Sequence, residues 1–306
     1  MKDSINFYYN FNISEVEYWG NTYRFLLNNS YSYFVPLKRT NEELEDIVNI
    51  SKELKARGLE VHDILLNKFG KIVTNVYNEN YILLKPLNDI YEEYDISDII
   101  NLNKKLILSP NKSKLYRNSW SRLWSEKIDF FEYQIHELGK DKKIILNSFS
   151  YYIGLAENAI SYVNSTINNY KPNDNDKICL SHRRINYPNY KLNFLNPISF
   201  IFDLEIRDIA EYIKSSFFYG DDALNNLRLA LKLNNFSVYS LQLLYARLLY
   251  PCYYFDLYEK IINEEESEEC LIPVIEKNKE YEKFLKNAYY EISKYASIER
   301  VEWLLK

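Results

Sequence analysis

Residues 181–212 read SHRRINYPNYKLNFLNPISFIFDLEIRDIAEY. Two arginines follow His182, and Asn189 comes seven residues after that histidine. An apolar run then ends in the carboxylate of Asp203, and Asp208 lies just beyond it in a sequence typical of a helix start. Short apolar runs bounded by turn residues are typical of buried strands. The stretch therefore predicts two short strands on either side of a polar loop, with a helix after the second strand.

The same stretch resembles the catalytic segment of small-molecule kinases of the aminoglycoside phosphotransferase and choline kinase type. That segment reads H-G-D-x-x-x-x-N and is followed by an apolar strand that ends in Asp. His182 and Asn189 match the pattern, and Asp203 falls on the Asp at the strand end. Arg183 stands at the glycine, however, and Arg184 stands at the catalytic Asp. An arginine cannot accept the proton that this Asp takes from the substrate, so the resemblance implies a kinase relative that has stopped transferring phosphate.

The order of strand and helix signals predicts an α+β, two-lobed protein-kinase-like fold. Residues 1–87 are expected to form a small lobe with an antiparallel sheet and one helix. Residues 88–306 are expected to form a larger, mainly helical lobe that contains the degenerate catalytic loop, residues 181–212. A hinge is expected near Lys85–Asn88, because strand signals give way to helical periodicity there.

Local signals support the small lobe. Tyr23–Leu27 and Tyr31–Leu37 are aromatic and β-branched runs separated by turn-forming residues, which indicates a hairpin. Thr40 and Glu43 form a capping box at the start of a helix, and Gly58 predicts the end of that helix.

Helical periodicity dominates the larger lobe. It predicts a long helix after Ser119, another over residues 151–168, and a helical stretch over residues 238–262 that Pro251 interrupts. The acidic run at residues 264–269 is expected to be a solvated loop.

Lys38 is the candidate ligand for nucleotide phosphates. It ends the second strand of the hairpin just before the capped helix, where a kinase places its phosphate-binding lysine, and Glu45 or Glu53 could pair with it. A single lysine at a strand end is a weak signal, and an ordinary surface role stays open. The preceding turn offers one glycine, Gly20, so we expect triphosphate to bind weakly.

Asp203 and Asn189 are the candidate magnesium ligands, since hard cations prefer carboxylate and amide oxygens. One carboxylate and one amide hold magnesium poorly without a nucleotide, so we favour the alternative that Asp203 orients the following helix. His182 is expected to support the loop rather than to act as a base.

The two arginines of the loop leave two interpretations open. Guanidinium groups suit oxyanions, so Arg183 and Arg184 could bind a phosphate or carboxylate group. They could instead pair internally, and we favour a salt bridge from one of them to Asp203 or Asp208. Carboxylates that have lost their divalent cation repel one another unless another positive charge offsets them.

Composition excludes several classes of protein. The net charge of −5 argues against a nucleic-acid-binding protein, which normally carries a basic stripe. Three cysteines without a C-x-x-C pair suit a reducing compartment better than a disulfide framework. We expect no signal peptide, because the first residues contain no uninterrupted apolar run, and no transmembrane helix, because no apolar window is long enough. Together these features predict a cytoplasmic protein that binds neither nucleic acid nor membrane.

A second resemblance is narrower. Residues 149–162 read FSYYIGLAENAISY and resemble a stretch of endospore coat-associated proteins of the YutH type, within the CotS-like spore coat family. The segments Leu180–Arg184, Asn196–Asp203, Arg207–Tyr212 and Val301–Leu304 are also similar. This resemblance implies a kinase-like fold, an origin in spore-forming Firmicutes, and a place in the coat that is assembled in the mother-cell cytoplasm during sporulation.

Two functions therefore compete. The first is a pseudokinase of the spore coat that has no catalytic activity, needs no cofactor and interacts with other coat proteins. The second is an active small-molecule phosphotransferase that uses ATP and magnesium. Arg184 favours the first, because the catalytic base is missing there.

Overall fold

The structure, a computed structural model, describes residues 1–19, 22–86, 92–105, 113–117, 119–138, 141–185 and 190–306. The chain forms two compact units. The first, here the sheet unit, comprises Met1–Tyr94, Asn111–Leu115 and Pro188–Phe200. The second, here the helical unit, comprises Asp95–Pro110, Tyr116–Tyr187 and Ile201–Lys306.

The elements are numbered in chain order. The strands are β1 (Glu17–Trp19), β2 (Thr22–Leu27), β3 (Ser30–Pro36), β4 (Asp63–Leu65), β5 (Thr74–Val76), β6 (Glu79–Lys85), β7 (Ile178–His182) and β8 (Phe200–Leu204). The helices are α1 (Lys2–Tyr9), α2 (Asn41–Ala56), α3 (Ile96–Lys105), α4 (Trp120–Leu138), α5 (Lys143–Asn169), α6 (Lys191–Phe194), α7 (Ile206–Tyr219), α8 (Ala223–Leu233), α9 (Val238–Leu249), α10 (Cys252–Ile262), α11 (Ile272–Glu276), α12 (Asn278–Ser293) and α13 (Glu302–Leu305). None of these helices has the length and apolar character needed to cross a membrane.

The sheet unit is built on one antiparallel sheet. Its strand order is β1-β2-β3-β6-β4, and β5 also pairs with β6. The predicted hairpin is confirmed, since β2 and β3 pair in antiparallel register. Asn28 and Asn29 link them with φ angles of 50° and 64°, in the left-handed region that a tight hairpin turn requires and that asparagine tolerates.

Helix α2 begins with the predicted capping box. The Oγ1 atom of Thr40 accepts a hydrogen bond of 3.2 Å from the main-chain N–H of Glu43, and the Glu43 carboxylate accepts one of 3.1 Å from the main-chain N–H of Thr40. Two of the unpaired N–H groups at the helix start are satisfied in this way. Gly58 follows the last turn with φ at 76°, which only glycine adopts at little cost.

Helix α1 was not predicted. It is a short amphipathic helix whose Ile5 and Tyr9 are buried with Phe25 and Phe34 of the sheet. The Tyr9 hydroxyl also shares a hydrogen bond of 3.0 Å with Thr74. Two apolar residues on one face are too few to predict a helix from periodicity alone.

The sheet unit also differs from the predicted division at residues 87 and 88, because it includes chain from the middle of the sequence. Leu192 of α6 packs with Tyr33, Ile82 and Leu84 of the sheet. The main-chain oxygen of Leu192 lies 2.8 Å from Nε2 of His62. Part of the degenerate catalytic loop, up to Phe200, therefore belongs to the sheet unit. Of the predicted hinge, residues 87 and 88 lie outside the described part of the chain.

The helical unit confirms the long helix after Ser119 and the interruption at Pro251. Helix α5 begins eight residues earlier than predicted, at Lys143 rather than residue 151. The Glu268 carboxylate accepts hydrogen bonds of 2.8 and 3.4 Å from the main-chain N–H groups of Ile144 and Ile145. The acidic run is therefore not only a solvated loop, because one of its carboxylates caps the positive end of α5.

Tyrosines form much of the core of the helical unit. The fully buried ones are Tyr152, Tyr245, Tyr254, Tyr258 and Tyr281. Each of their hydroxyl groups has a hydrogen-bond partner, which removes the cost of burying it. Tyr152 and Tyr254 stack with ring centroids 3.7 Å apart.

Candidate functional site

The degenerate loop begins at the end of β7, where His182 is anchored to α7. The imidazole is buried, and its Nδ1 lies 2.6 Å from Oδ2 of Asp208. The same carboxylate accepts hydrogen bonds of 3.0 and 3.1 Å from the main-chain N–H of His182. His182 therefore ties the loop to the first turn of α7. Asn189 lies outside the described residues, so its role stays a prediction.

Asp203, at the end of β8, is fully buried and has both carboxylate oxygens engaged. The indole N–H of Trp120 donates to Oδ1 and Oδ2 at 3.0 and 2.9 Å. The guanidinium of Arg207, one helical turn further along the chain, donates to Oδ2 at 2.6 Å. Burial raises the pKa of Asp203, although Arg207 and Arg247 oppose this rise. The carboxylate is therefore held by a cation of the protein itself and by an indole.

The prediction paired Arg183 or Arg184 with Asp203 or Asp208, and for Arg184 it is wrong. Arg184 instead forms a two-pronged ion pair with Asp256 of α10, with Nε 2.6 Å from Oδ2 and Nη2 2.8 Å from Oδ1. Both side chains are about one third exposed, at 34% and 32%. The negative charge of Asp203 is balanced by an arginine, as expected, but this arginine is Arg207 and not Arg184.

A second buried charge cluster surrounds Glu211 of α7. The ammonium of Lys214 lies 3.1 Å and the Nε atom of Arg247 2.9 Å from Oε1 of Glu211. The Cys252 thiol donates to Oε2 at 3.1 Å. Burial alone would raise the pKa of Glu211, but Lys214, Arg247 and the other cations outweigh it and hold that pKa below its usual range. Glu211 therefore stays ionised inside the unit.

The described part of the chain contains no group of three or more His, Cys, Asp or Glu side chains placed to hold a metal ion. Asp203 is the predicted metal ligand that the structure describes, and Arg207 already occupies its carboxylate. A divalent cation would have to displace both Arg207 and Trp120. The donor set described here therefore does not fit magnesium.

In the sheet unit, Lys38 is exposed and lies beyond the end of β3. Glu53, one of its suggested partners, pairs with Arg57. The side chain of the neighbouring Arg39 is buried instead, and its guanidinium donates to the main-chain oxygens of Ile198 and Phe200 at 2.6 and 2.8 Å. Gly20, in the preceding turn, lies outside the described residues.

The sheet unit also contains a pocket of about 380 Å³. It is lined by aromatic and aliphatic side chains together with a few polar ones: Trp19, Thr22, Tyr33, Val35, His62, Leu84, Leu192, Asn193 and Asn196. Burial lowers the pKa of His62 to about 4. The neutral imidazole therefore donates its Nε2–H to the oxygen of Leu192, 2.8 Å away.

Sequence reasoning missed Trp120, Arg247 and Asp256 as parts of this site. Arg207 could have been found, because a carboxylate and an arginine four residues apart at a helix start are a recognisable pair. Asp256 lies 72 residues from the arginine that it binds, and no spacing in the sequence connects the two.

Glu205 provides a test of charge burial beside the loop. Burial raises its pKa to about 7, against the attraction of Lys177. Between about pH 4.5 and 7 the folded chain then holds a proton that the unfolded chain has lost, so the free energy of unfolding falls as pH rises through this window. We expect Glu205→Gln to stabilise the protein by about 1–3 kcal/mol at pH 8 and by little at pH 4.

Chemical denaturation of parent and variant at both pH values measures this difference. Glu157→Gln removes one exposed carboxylate from the same unit and serves as the control. A Glu205→Gln protein whose stability follows the parent at both pH values would contradict the burial of this carboxyl group.

Comparison with known proteins adds the family and the relatives. Residues 2–288 match the family model described as "Spore coat putative kinase YutH". The chain is 29% identical over 337 aligned positions to the endospore coat-associated protein YutH of Bacillus subtilis (strain 168), and the alignment covers 100% of this chain and 98% of the relative.

Solved structures support the fold. An aminoglycoside phosphotransferase from Alicyclobacillus acidocaldarius superimposes with a TM-score of 0.63 at 8% identity, covering 94% of each chain. A spectinomycin phosphotransferase gives a TM-score of 0.60 at 11% identity, covering 94% of this chain and 96% of its own. The choline kinase LicA of Streptococcus pneumoniae gives 0.51 at 13% identity, covering 93% and 96%. The predicted kinase-like fold is thereby confirmed, and the match over nearly the whole sequence shows that this chain belongs to the YutH family of spore coat kinase-like proteins.

Proposed function

We propose that this protein is a pseudokinase of the spore coat, which acts by interaction with other coat proteins and does not transfer phosphate. The observation that carries the proposal is the state of Asp203. Its carboxylate is fully buried, paired with Arg207 and bonded to the indole of Trp120. Phosphoryl transfer needs a carboxylate that can reach a metal ion bound to the nucleotide.

The state of Arg184 supports the same proposal. A kinase places a proton acceptor at this position in the loop. Here the side chain is a guanidinium whose Nε and Nη2 atoms both donate to the carboxylate of Asp256. Two catalytic functions, metal binding and proton transfer, are thus replaced by ion pairs within the helical unit.

The family supports a proposal for the place of action. The relative in Bacillus subtilis is named an endospore coat-associated protein. We propose that this chain likewise assembles in the mother-cell cytoplasm, joins the coat and binds other coat proteins there. Its net charge of −5 gives no reason to propose a nucleic acid as partner.

Phosphotransfer is the first test. We expect purified protein, incubated with labelled ATP, magnesium and a panel of aminoglycosides, choline and amino sugars, to show no turnover above the background without protein. The reason is that the Asp203 carboxylate is already paired with Arg207, and that Arg184 stands where the kinase pattern has its base. A known aminoglycoside phosphotransferase in the same assay shows that the conditions permit turnover.

The matched variant is Asp203→Asn, which keeps the shape and the acceptor oxygen of the side chain but removes its charge. Turnover by the parent that is lost in this variant would show an active enzyme and would overturn the proposal. In a spore former that lacks its own copy of the gene, Asp203→Asn should restore the coat protein profile in proportion to its folded fraction, because the substitution also leaves the buried Arg207 guanidinium without its carboxylate.

Nucleotide binding without turnover is the second candidate, and the pocket of about 380 Å³ in the sheet unit favours it. Its aromatic and aliphatic walls suit a flat ring. Thermal-shift titrations with ATP, with and without magnesium, test this function. Stabilisation by ATP that a Val35→Trp variant abolishes would establish it, because the larger side chain fills the pocket.

A further inference from the structure

The helical unit contains a cavity of about 260 Å³ whose charged lining residues are all cations. Among the lining residues that the structure describes, no carboxylate is found. The cationic lining residues are Arg117, Lys127, Arg183, Arg184, Arg207 and Arg247. We call this space the basic cavity.

Arg247 is the central observation. Its side chain is only 4% exposed, and its Nη1 has no hydrogen-bond partner within the described part of the chain. Its Nε atom lies 2.9 Å from Glu211 but is not aligned for a hydrogen bond. A buried guanidinium with unmet N–H groups is costly unless an acceptor reaches it. One residue that lines the basic cavity therefore carries a buried N–H donor without an acceptor.

The carboxylates that offset the lining cations do not line the basic cavity themselves. Asp203 pairs with Arg207, and Asp256 pairs with Arg184, so both are already engaged. Burial lowers the pKa of Arg247, and the like charge of Arg207 adds to this effect. An anion placed beside Arg247 would relieve both penalties, because it would supply an acceptor and a negative charge.

The walls of the basic cavity are aromatic as well as cationic. Trp120 and Trp124 stack with ring centroids 5.7 Å apart, and Trp124 stacks on Tyr250 at 4.1 Å. The guanidinium carbon of Arg247 lies 4.5 Å from the centroid of the Trp120 ring. Arg183, another lining residue, is exposed to solvent, so an ion can reach the cavity.

We propose that the basic cavity binds a small free oxyanion, a phosphate or carboxylate group, through the unsatisfied guanidinium of Arg247. Guanidinium groups recognise such planar or tetrahedral oxyanions through paired N–H donors. The site is independent of phosphotransfer and of the coat role proposed above. It lies beside the loop whose catalytic carboxylate has been replaced by arginine, so a cationic site stands where the kinase pattern is acidic.

Inorganic phosphate and succinate are the probes, each titrated into the full chain at constant ionic strength with chloride as balancing ion. We expect saturable quenching or enhancement of tryptophan fluorescence by at least one of them, since Trp120 and Trp124 line the cavity. A rise in melting temperature with the same probe should accompany it, because a ligand that binds only the folded state stabilises that state. The two probes distinguish a phosphate site from a carboxylate site.

Arg247→Met is the main variant, since methionine retains apolar contact with Trp120 but carries no charge or N–H group. We expect the affinity for the active probe to fall at least tenfold. Arg183→Gln changes an exposed lining residue and therefore spares folding, and it should weaken binding several-fold. Arg228→Met changes an exposed arginine that pairs with Glu291 outside the cavity, and it should bind as the parent does.

Two results would overturn the proposal. One is a parent chain that shows no saturable response to either probe, or the same response to chloride. The other is unchanged affinity in both Arg247→Met and Arg183→Gln. If Arg247→Met does not fold, the affinity of Arg183→Gln alone decides the question.

Discussion

Arg207→Ala is expected to lower the free energy of unfolding by about 3–5 kcal/mol, because it leaves a buried carboxylate without its cation. Asp203 is fully buried, and after the substitution it would keep only the indole N–H of Trp120 as a side-chain donor. The guanidinium of Arg207 also donates to the main-chain oxygens of His182 and Arg183 at 3.1 and 3.2 Å. Those acceptors would lose this partner as well.

Urea denaturation followed by circular dichroism measures the loss. The double variant Arg207→Ala with Asp203→Asn should recover part of it, because the unpaired charge is removed. Arg228→Ala breaks an arginine–glutamate pair in which the arginine is 50% exposed, and such surface pairs contribute little to stability. Equal losses in Arg207→Ala and Arg228→Ala would show that the buried pair is not what stabilises this region.

Asp208→Ala is also expected to be strongly destabilising, for a different reason: two buried donors lose their acceptor, at about 1–3 kcal/mol each. Its carboxylate accepts hydrogen bonds from the main-chain N–H of His182 and lies 2.6 Å from the imidazole Nδ1. All of these groups are buried, so both donors would remain without an acceptor. The start of the degenerate loop would then lose its attachment to α7.

The loop itself provides a second measurement for this variant. Trypsin cleaves after arginine, and Arg183 and Arg184 follow the anchored histidine directly. We expect Asp208→Ala to be cut there faster than the parent, and Asp208→Asn, which keeps an acceptor oxygen, to be cut at an intermediate rate. Asp221→Ala, at an exposed position after α7, is the control. Parent-like stability and cleavage in Asp208→Ala would refute the anchoring role of Asp208.

The elements that the sequence predicted well are those that local physics defines. The asparagine turn between β2 and β3 and the capping box at Thr40 depend on residues within four positions of one another. The long helix Trp120–Leu138 follows from a regular apolar stripe. Helix α1 was missed, since its two buried residues form no readable period. The early start of α5 was missed as well, because a carboxylate more than a hundred residues away caps it.

The sequence by itself determined the kinase-like order of strands and helices, the YutH family, and the absence of a catalytic carboxylate at position 184. These features can be read from residue identity and periodicity, because they do not depend on distances between residues that are remote in the chain. Only the tertiary structure decided which partner each buried charge takes: Arg207 for Asp203, Asp256 for Arg184, and an unfilled donor on Arg247 in a cationic cavity. The sequence gives the identity of the charged residues. The energy of a buried ion pair, however, depends on a separation of a few ångströms between elements that are remote in the chain, and packing alone sets that separation.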